Sequence, residues 1–551
     1  MSHLYSPSEW VAPLVPIASL AVLPLGPLFF PRIYLLVLFT YFTVFLYTQL
    51  DHVRKFWLTS RKIRMTIGKW NKRLGNRETS GTKKNDTEYT ETLDDVEEKL
   101  QYYQDPHYFH TFIIPNYCEP EELLKDTIER IASHSNAQTH YGLILAMEQS
   151  EVGWEEKARG LQDHFSDRFC QIVVTGHPSD IPGESRGKGS NVAYAARHGC
   201  LELVEKYNID RQRIIITVSD SDSAIPELYI REVEEALAKA DDPYHLLCAP
   251  PIFFSRNCFD VPAAVRVTDI TWSAMVMSNL SNSRGMCIPC SNYSLSMVLA
   301  DKVGYWDTDA DAVGEDMHMW LKCFWKTQGQ VRTAPIYVPI NLTNVQTKSY
   351  LSNVSARYVQ AKRHYNGVAD VAYTLKNAFQ TSSACISLFE RLKVCFIILE
   401  AHMVPATSGW LMFAAVPLMQ FILFPPFQSL QLVAPSDNPI LTSEFFGRLW
   451  SVIKVITLCL PLPLFGTLAV YEQLHRTIDR EFLHKTKAES RKWSNLIDYI
   501  NLPVAAWLFM TLPSTLACVK RLLNRQEKYI TSEKLFRGDN TGLIVESSSS
   551  T

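Results

Sequence analysis

The chain has 551 residues, 47% hydrophobic and 20% charged, with a formal net charge of −3. That balance excludes wholesale disorder, a collagen-like repeat and a globally basic nucleic-acid binder, and at ~150 residues per domain the length suits three or four domains. The 12 cysteines are scattered rather than arranged as a disulfide framework, which suits a reducing compartment.

Apolar residues are clumped. Residues 33–50 carry no charge and are long enough to span a bilayer. Residues 11–31 are also uncharged but hold Pro13, Pro16, Pro24, Pro27 and Pro31, which predicts a second, kinked span or an interfacial segment. A signal peptide is disfavoured, because no basic stretch precedes the run and the run is too long. Residues 51–84 then contain eleven Lys and Arg against Asp51 and Glu78. The positive-inside rule places this segment, and the block after it, in the cytosol. The sequons at Asn85, Asn279, Asn292, Asn341 and Asn353 would then stay unmodified.

Residues 85–100 are acidic and polar and read as a linker. Beyond them, short apolar runs alternate with helical patterns. Strands are expected at 111–114, 141–147, 171–175 and 214–218, the last made wholly of β-branched residues. Leu124, Ile128 and Ile131 mark one helix face, and 191–206 reads as another helix. Strand–helix alternation predicts an α/β domain with a mostly parallel sheet, whose ligands bind beyond the carboxyl ends of the strands.

The C-terminal third is apolar again. Residues 393–405, with Glu400 and His402, read as an amphipathic helix on the membrane surface, a functional intramembrane pair being the other reading. Apolar stretches at 409–426, 450–470 and 500–519 follow. The loop 472–499 and the segment 520–537 each carry six Lys and Arg, so both favour the cytosol although one apolar stretch separates them. Pro503 and Pro513 allow a re-entrant segment there, which leaves the number of spans open. The tail from Gly538 ends in a serine run and reads as disordered. The expected organisation is membrane segments at 1–50, a basic then acidic cytosolic linker at 51–104, a catalytic domain at 105–370, interfacial and transmembrane helices at 371–527, and a tail at 528–551.

Three constellations carry chemistry. The strand at 214–218 ends in Ser219-Asp220-Ser221-Asp222, and two carboxylates at a strand end can face a crevice and hold a hard divalent cation with phosphate oxygens. Taken alone, Asp-Ser-Asp is also an ordinary turn. In Gly314-Glu315-Asp316-Met317-His318 the two acids diverge by ~100° on a helix, so one of them reaches a substrate as base, or both merely complement the helix dipole. Gln360 and Arg363 share a helix face, suited to a hydroxyl and a phosphate or simply to solvent. Cys287 and Cys290 form a lone CxxC without a partner pair, read as packing rather than zinc.

Their order carries more than any one of them. Phe112-Ile113-Ile114-Pro115-Asn116-Tyr117-Cys118-Glu119-Pro120, Gly187-Lys188-Gly189-Ser190-Asn191, Asp220-Ser221-Asp222, Pro289-Cys290-Ser291-Asn292-Tyr293, Glu315-Asp316 and Gln360–His364 precede membrane helices. The chain resembles the membrane-bound family 2 glycosyltransferases, such as cellulose, chitin and hyaluronan synthases and ceramide glucosyltransferase, over about 105–370 and the flanking helices. The resemblance implies a GT-A fold, a Rossmann-like nucleotide-diphospho-sugar transferase domain, acting on a UDP-sugar with Mg2+ or Mn2+. It places Pro115, Asn116, Tyr117, Glu119, Glu148 and Lys188 near uracil and ribose, Asp220 near the diphosphate and Asp222 on the metal. It makes Asp316 the base, with Glu315, Ser291, Asn292 and Tyr293 near the acceptor. Gln360, Arg363 and His364 fall on the family's QxxRW motif. His364 replaces the usual Trp, and Glu148 follows a strand where Asp is usual, which bears on substrate choice.

The expected enzyme is a multi-pass membrane transferase with its catalytic domain in the cytosol, where nucleotide sugars are made. It would extend a polysaccharide by inverting transfer, or alternatively pass one sugar to a lipid acceptor. Plasma membrane, Golgi and endoplasmic reticulum all fit, and a homo-oligomer is compatible.

Overall fold

The computed structural model describes residues 6–79, 107–281, 285–309, 311–312, 314–487 and 489–522. The acidic linker at 85–100 and the tail from 528 lie outside these.

A seven-stranded sheet forms the catalytic domain, in the order β3-β2-β1-β4-β7-β5-β8. These strands are β1 (Phe109–Asn116), β2 (Tyr141–Glu148), β3 (Gln171–His177), β4 (Ile214–Val218), β5 (Leu246–Ala249), β7 (Tyr293–Ser296) and β8 (Arg332–Pro335). A small parallel pair, β6 (Ile252–Phe253) and β9 (Ile340–Asn341), stands beside it. All four strands read from the sequence are present. The pairing is parallel except for β7, which runs antiparallel to both β4 and β5. β7 eludes sequence reading because its four residues alternate with serine. Ser294 Oγ lies 2.8 Å from both Thr217 Oγ1 and the Tyr229 hydroxyl, so it is satisfied inside the sheet.

β1 and β2 are buried along their whole length, as expected of parallel strands covered on both faces. Phe112, Ile114, Leu143 and Leu145 point to one core with Leu124, Ile128 and Ile131 of helix Glu121–Ala132. Ile113 and Ile144 point to the other, with Val192 and Ala196 of helix Lys188–Glu205 and Trp320 of helix Glu315–Lys326. Strand ends and helix starts therefore converge on one edge of the sheet, where the site lies.

Among the described residues, five helices are long and apolar enough to cross a membrane: Pro7–Phe29, Pro31–Lys72, Leu388–Leu423, Glu444–Phe482 and Trp493–Leu522. Two expectations change. The basic segment is not a linker at its start: 51–79 continues helix Pro31–Thr79. Its Phe56, Ile63 and Ile67 pack on Val267 and Ile270 of helix Ala263–Asn279, and Lys69 pairs with Glu235 at 2.7 Å. Nor do residues 393–405 form a helix of their own. They are part of one unbroken helix, Leu388–Leu423, with His402 turned inward. In the last segment a π-turn at Trp507–Thr511 precedes Pro513, where proline cannot donate to the helical ladder.

A fully buried ionic knot joins these helices to the catalytic domain. Arg491 and Glu472, both 0% exposed, pair at 2.6 Å. Asp498 bridges Arg491 at 3.1 Å to Arg266 of helix Ala263–Asn279 at 2.9 Å. Removing one partner strands a buried charge, at ~3–5 kcal/mol. Arg491→Ala is therefore expected to lower the thermal unfolding temperature sharply, and the joint change Arg491→Met with Glu472→Leu to lower it less, in purified detergent-solubilised protein.

Candidate active site

β4 ends at Val218, and the chain turns so that Asp220 faces a cavity of about 2160 Å³. Helix Lys188–Glu205 starts on the same cavity. Lys188 Nζ lies 2.7 Å from Asp220 Oδ1 and 2.6 Å from Glu315 Oε1, and donates to the Ser291 carbonyl at 3.2 Å. Burial alone would lower the pKa of this ammonium, but Asp220 and Glu315 outweigh it and hold it well above the ordinary lysine value. Burial raises Glu315 to about 7, Lys188 opposing the rise and Asp316 adding to it. The charge on Glu315 thus changes near neutrality.

Asp316 begins the same helix as Glu315 and lines the cavity. Its Oδ2 accepts from the Ser291 amide at 2.8 Å and its Oδ1 from the Met317 amide at 2.8 Å. Ser291 reaches it from the left-handed region, φ 50°, rare for a residue with a Cβ. Asn292 Oδ1 accepts from the Asp220 amide at 3.3 Å and from Ser223 Oγ at 2.9 Å, bracing the turn after β4. Tyr293 is wholly buried, and its hydroxyl accepts from Trp306 Nε1 at 2.6 Å. Three segments far apart in sequence are thus brought together around Asp220, Glu315 and Asp316.

Asp222 is placed otherwise than the sequence suggests. Its carboxylate is buried and turned out of the cavity, with Oδ2 accepting from the Thr343 amide at 3.2 Å and from the Thr343 hydroxyl. Asp220 and Asp222 do not share one crevice, because the chain after β4 keeps turning and Thr343, beyond β9, captures the second acid.

Pro115 and Asn116 end β1. Asn116 Nδ2 donates to Glu151 at 2.8 Å, and Lys157 Nζ donates to Asn116 Oδ1 at 3.1 Å. Glu119 accepts from the Tyr117 amide. Glu148 ends β2 and lies 3.1 Å from His177 Nδ1, whose Nε2 lies 3.1 Å from Glu184. Burial opposes protonation of His177, and the two carboxylates overcome it and raise its pKa. These residues sit along the carboxyl ends of β1, β2 and β3, apart from the wall of the large cavity.

On helix Tyr350–Tyr365, Arg363 and His364 line the cavity and Gln360 does not. The His364 ring stands 6.2 Å from that of Trp272. Arg357, nearly two turns earlier, lines it too and pairs with buried Asp269 at 2.9 Å. Sequence reading missed Arg357 and the group Asp307–His318–Asp370. His318 Nδ1 lies 2.6 Å from Asp370 Oδ1 and its Nε2 3.0 Å from Asp307 Oδ2. No motif announces that group; only His318, two residues after Asp316, pointed towards it. Cys290 lines the cavity while Cys287 packs with Ala249 and Leu280, and burial, with Asp316 beside it, raises the Cys290 thiol well above its usual value. Among the described residues no three His, Cys, Asp or Glu side chains form a metal cluster.

The cavity continues between the apolar helices. Val44 and Phe45 of helix Pro31–Thr79, Phe396 and Val404 of Leu388–Leu423, and Phe509 line it together with the acids.

Residues 215–430 match the family model described as glycosyl transferase family group 2. No curated protein matches the chain. Among solved structures, a mannosyltransferase from Pyrobaculum calidifontis, PcManGT in complex with GDP-Man and Mn2+, aligns at 13% identity over 75% of this chain and 98% of its own, TM-score 0.39. GalNAc-T7 with UDP, GalNAc and Mn2+ aligns at 10% identity over 54% of this chain and 58% of its own, TM-score 0.33.

The histidine group generates a pH prediction. Burial opposes the charge on His318, but Asp307 and Asp370 overcome it and raise its pKa from 6.5 to about 9. A folded pKa above the unfolded value means that the group stabilises fully below about 6.5 and that its contribution is lost as pH rises through about 9. Unfolding temperature measured from pH 6 to 10 is expected to fall across that window, and His318→Gln to flatten the fall.

Proposed function

We propose that this chain, which matches the glycosyl transferase family group 2 model over residues 215–430, is a glycosyltransferase that transfers a sugar from a UDP-sugar to a growing polysaccharide at a membrane surface, with inversion of the anomeric centre. The supporting observation is the cavity, which joins the acids around Lys188 to the apolar helices. Its volume of about 2160 Å³ exceeds what a small ligand needs, ~300–1,000 Å³. A lipid taking one sugar is the second reading, favoured by the apolar wall at Phe396, Val404 and Phe509.

In the proposed reaction Asp316 takes the proton of the acceptor hydroxyl as that oxygen bonds to the anomeric carbon. The bond from that carbon to the UDP oxygen breaks on the opposite face, and UDP departs. The two amides on Asp316 hold the carboxylate still for this transfer. Lys188 and Arg363 offset the charge that develops on the diphosphate. Pro115–Glu119 and Glu148 take the nucleoside, and Arg363 and His364, with Gln360 behind them, take the acceptor.

The residues present fit Mg2+ or Mn2+. Asp220 and Glu315 already converge on one positive centre, the Lys188 ammonium, and such carboxylate oxygens suit hard divalent ions that complete their shell with phosphate. Asp220 would hold the ion, while Asp222 and Asn292 fix the turn that presents Asp220. When bound, the ion neutralises diphosphate charge. The basic helical segment 51–79 supports a cytosolic catalytic domain.

Purified protein in lipid nanodiscs with Mn2+ and a panel of labelled UDP-sugars tests this. We expect labelled polymer, lost on chelation, with Asp316→Asn slower by ~10²–10⁴-fold. Label in the lipid-extractable fraction would replace polymer with the lipid acceptor. No Asp316-dependent transfer from any donor, in folded protein, would overturn the assignment.

A further inference from the structure

Among the buried polar atoms of the described cavity wall that have no hydrogen-bond partner are Asp370 Oδ2 and His402 Nε2. Leaving such an atom unsatisfied is unfavourable. Asp370 is held by its other oxygen, which lies 2.6 Å from His318 Nδ1. His402 arrives from a different part of the chain, turned inward from the membrane-type helix Leu388–Leu423.

Two glycines lie between these groups and the base. A Cβ on Gly314 would stand 3.9 Å from Asp316 Oδ1 and 3.9 Å from Asp370 Oδ2. A Cβ on Gly367 would stand 3.8 Å from His402 Cε1 and 4.0 Å from the Gly314 Cα. Neither glycine has the positive φ that would itself demand glycine. Bare backbone here leaves room beside three polar side chains.

We propose that Asp370 and His402 form a hydroxyl-binding position for the acceptor, adjoining Asp316. One acceptor hydroxyl gives its proton to Asp316, and a neighbouring hydroxyl on the same sugar is held between Asp370 Oδ2 and His402 Nε2. A carbohydrate end with adjacent hydroxyls can fill both positions, whereas a lipid with one isolated hydroxyl fills only the first. The position rests on the reading of Asp316 as the base of a glycosyltransferase. It makes His402 a specificity-determining residue supplied by a membrane-type helix to the catalytic domain.

The test uses the full chain in nanodiscs, the UDP-sugar found active, and two- and three-unit primers of that same sugar. Transfer to primer, hydrolysis to water and UDP affinity are measured for His402→Ala, His402→Met and His402→Gln. Loss of one neutral hydrogen bond predicts a primer KM raised about tenfold in the Ala and Met variants, with UDP affinity and hydrolysis retained. His402→Gln, which keeps a donor and an acceptor, should restore most of the primer affinity. An unchanged primer KM in the Ala and Met variants, while Asp316→Asn still abolishes transfer, overturns the inference alone. So does a parallel loss of UDP affinity and turnover that Gln fails to rescue, since that marks a purely structural role. If Asp316→Asn leaves transfer intact, or no UDP-sugar is active, the reading of the site has failed and this inference falls with it.

Discussion

One ammonium holds the site together. Lys188 Nζ touches Asp220, Glu315 and the Ser291 carbonyl, three residues from three other stretches of the chain. Lys188 and Asp220 are partly exposed to the cavity while Glu315 is buried, so losing the ammonium leaves the Glu315 carboxylate without its cation. The cluster also explains why Glu315 titrates near neutrality: burial raises it, and its one cation only partly offsets the rise. A nucleotide diphosphate, which brings negative charge, and a divalent cation, which brings positive charge, would redistribute these pairings rather than meet a neutral wall.

The sequence showed the frame well and the details unevenly. β1, β2 and β4 are legible because β-branched and apolar runs of strand length, bounded by polar turns, have few other homes. Asp220, Glu315 and Asp316 are legible because their residue types follow a strand or open a helix. The direction of Asp222 was not, since it is decided by Thr343, 121 residues later in the chain. Gln360 and Arg357 show the same limit. Both lie on helix Tyr350–Tyr365, and tertiary packing, not periodicity, turned Arg357 to the cavity and Gln360 away. His402 reads from the sequence, with Glu400, as part of an amphipathic helix or an intramembrane pair, and the nearness of Gly367 is decided by tertiary packing.

The apolar helices are not passive anchors. Helix Pro31–Thr79 carries its apolar half into a basic half that packs on the catalytic domain, and the knot of Glu472, Arg491, Asp498 and Arg266 locks the C-terminal helices to the same domain. Side chains from Leu388–Leu423, among them Phe396, His402 and Val404, line the same cavity as Asp220, Glu315 and Asp316. A cavity shared by acids and apolar helices suits an acceptor that is long, membrane-associated, or both.

The central claim is that Asp220, Lys188 and Glu315 receive a nucleotide diphosphate together with a divalent cation. UDP affinity, measured by calorimetry in Mn2+ and again in chelator for the native protein and for Asp220→Asn, tests it most directly. The account predicts that Mn2+ tightens UDP binding to the native protein and has little effect on Asp220→Asn. Equal UDP affinity in all four conditions would contradict it.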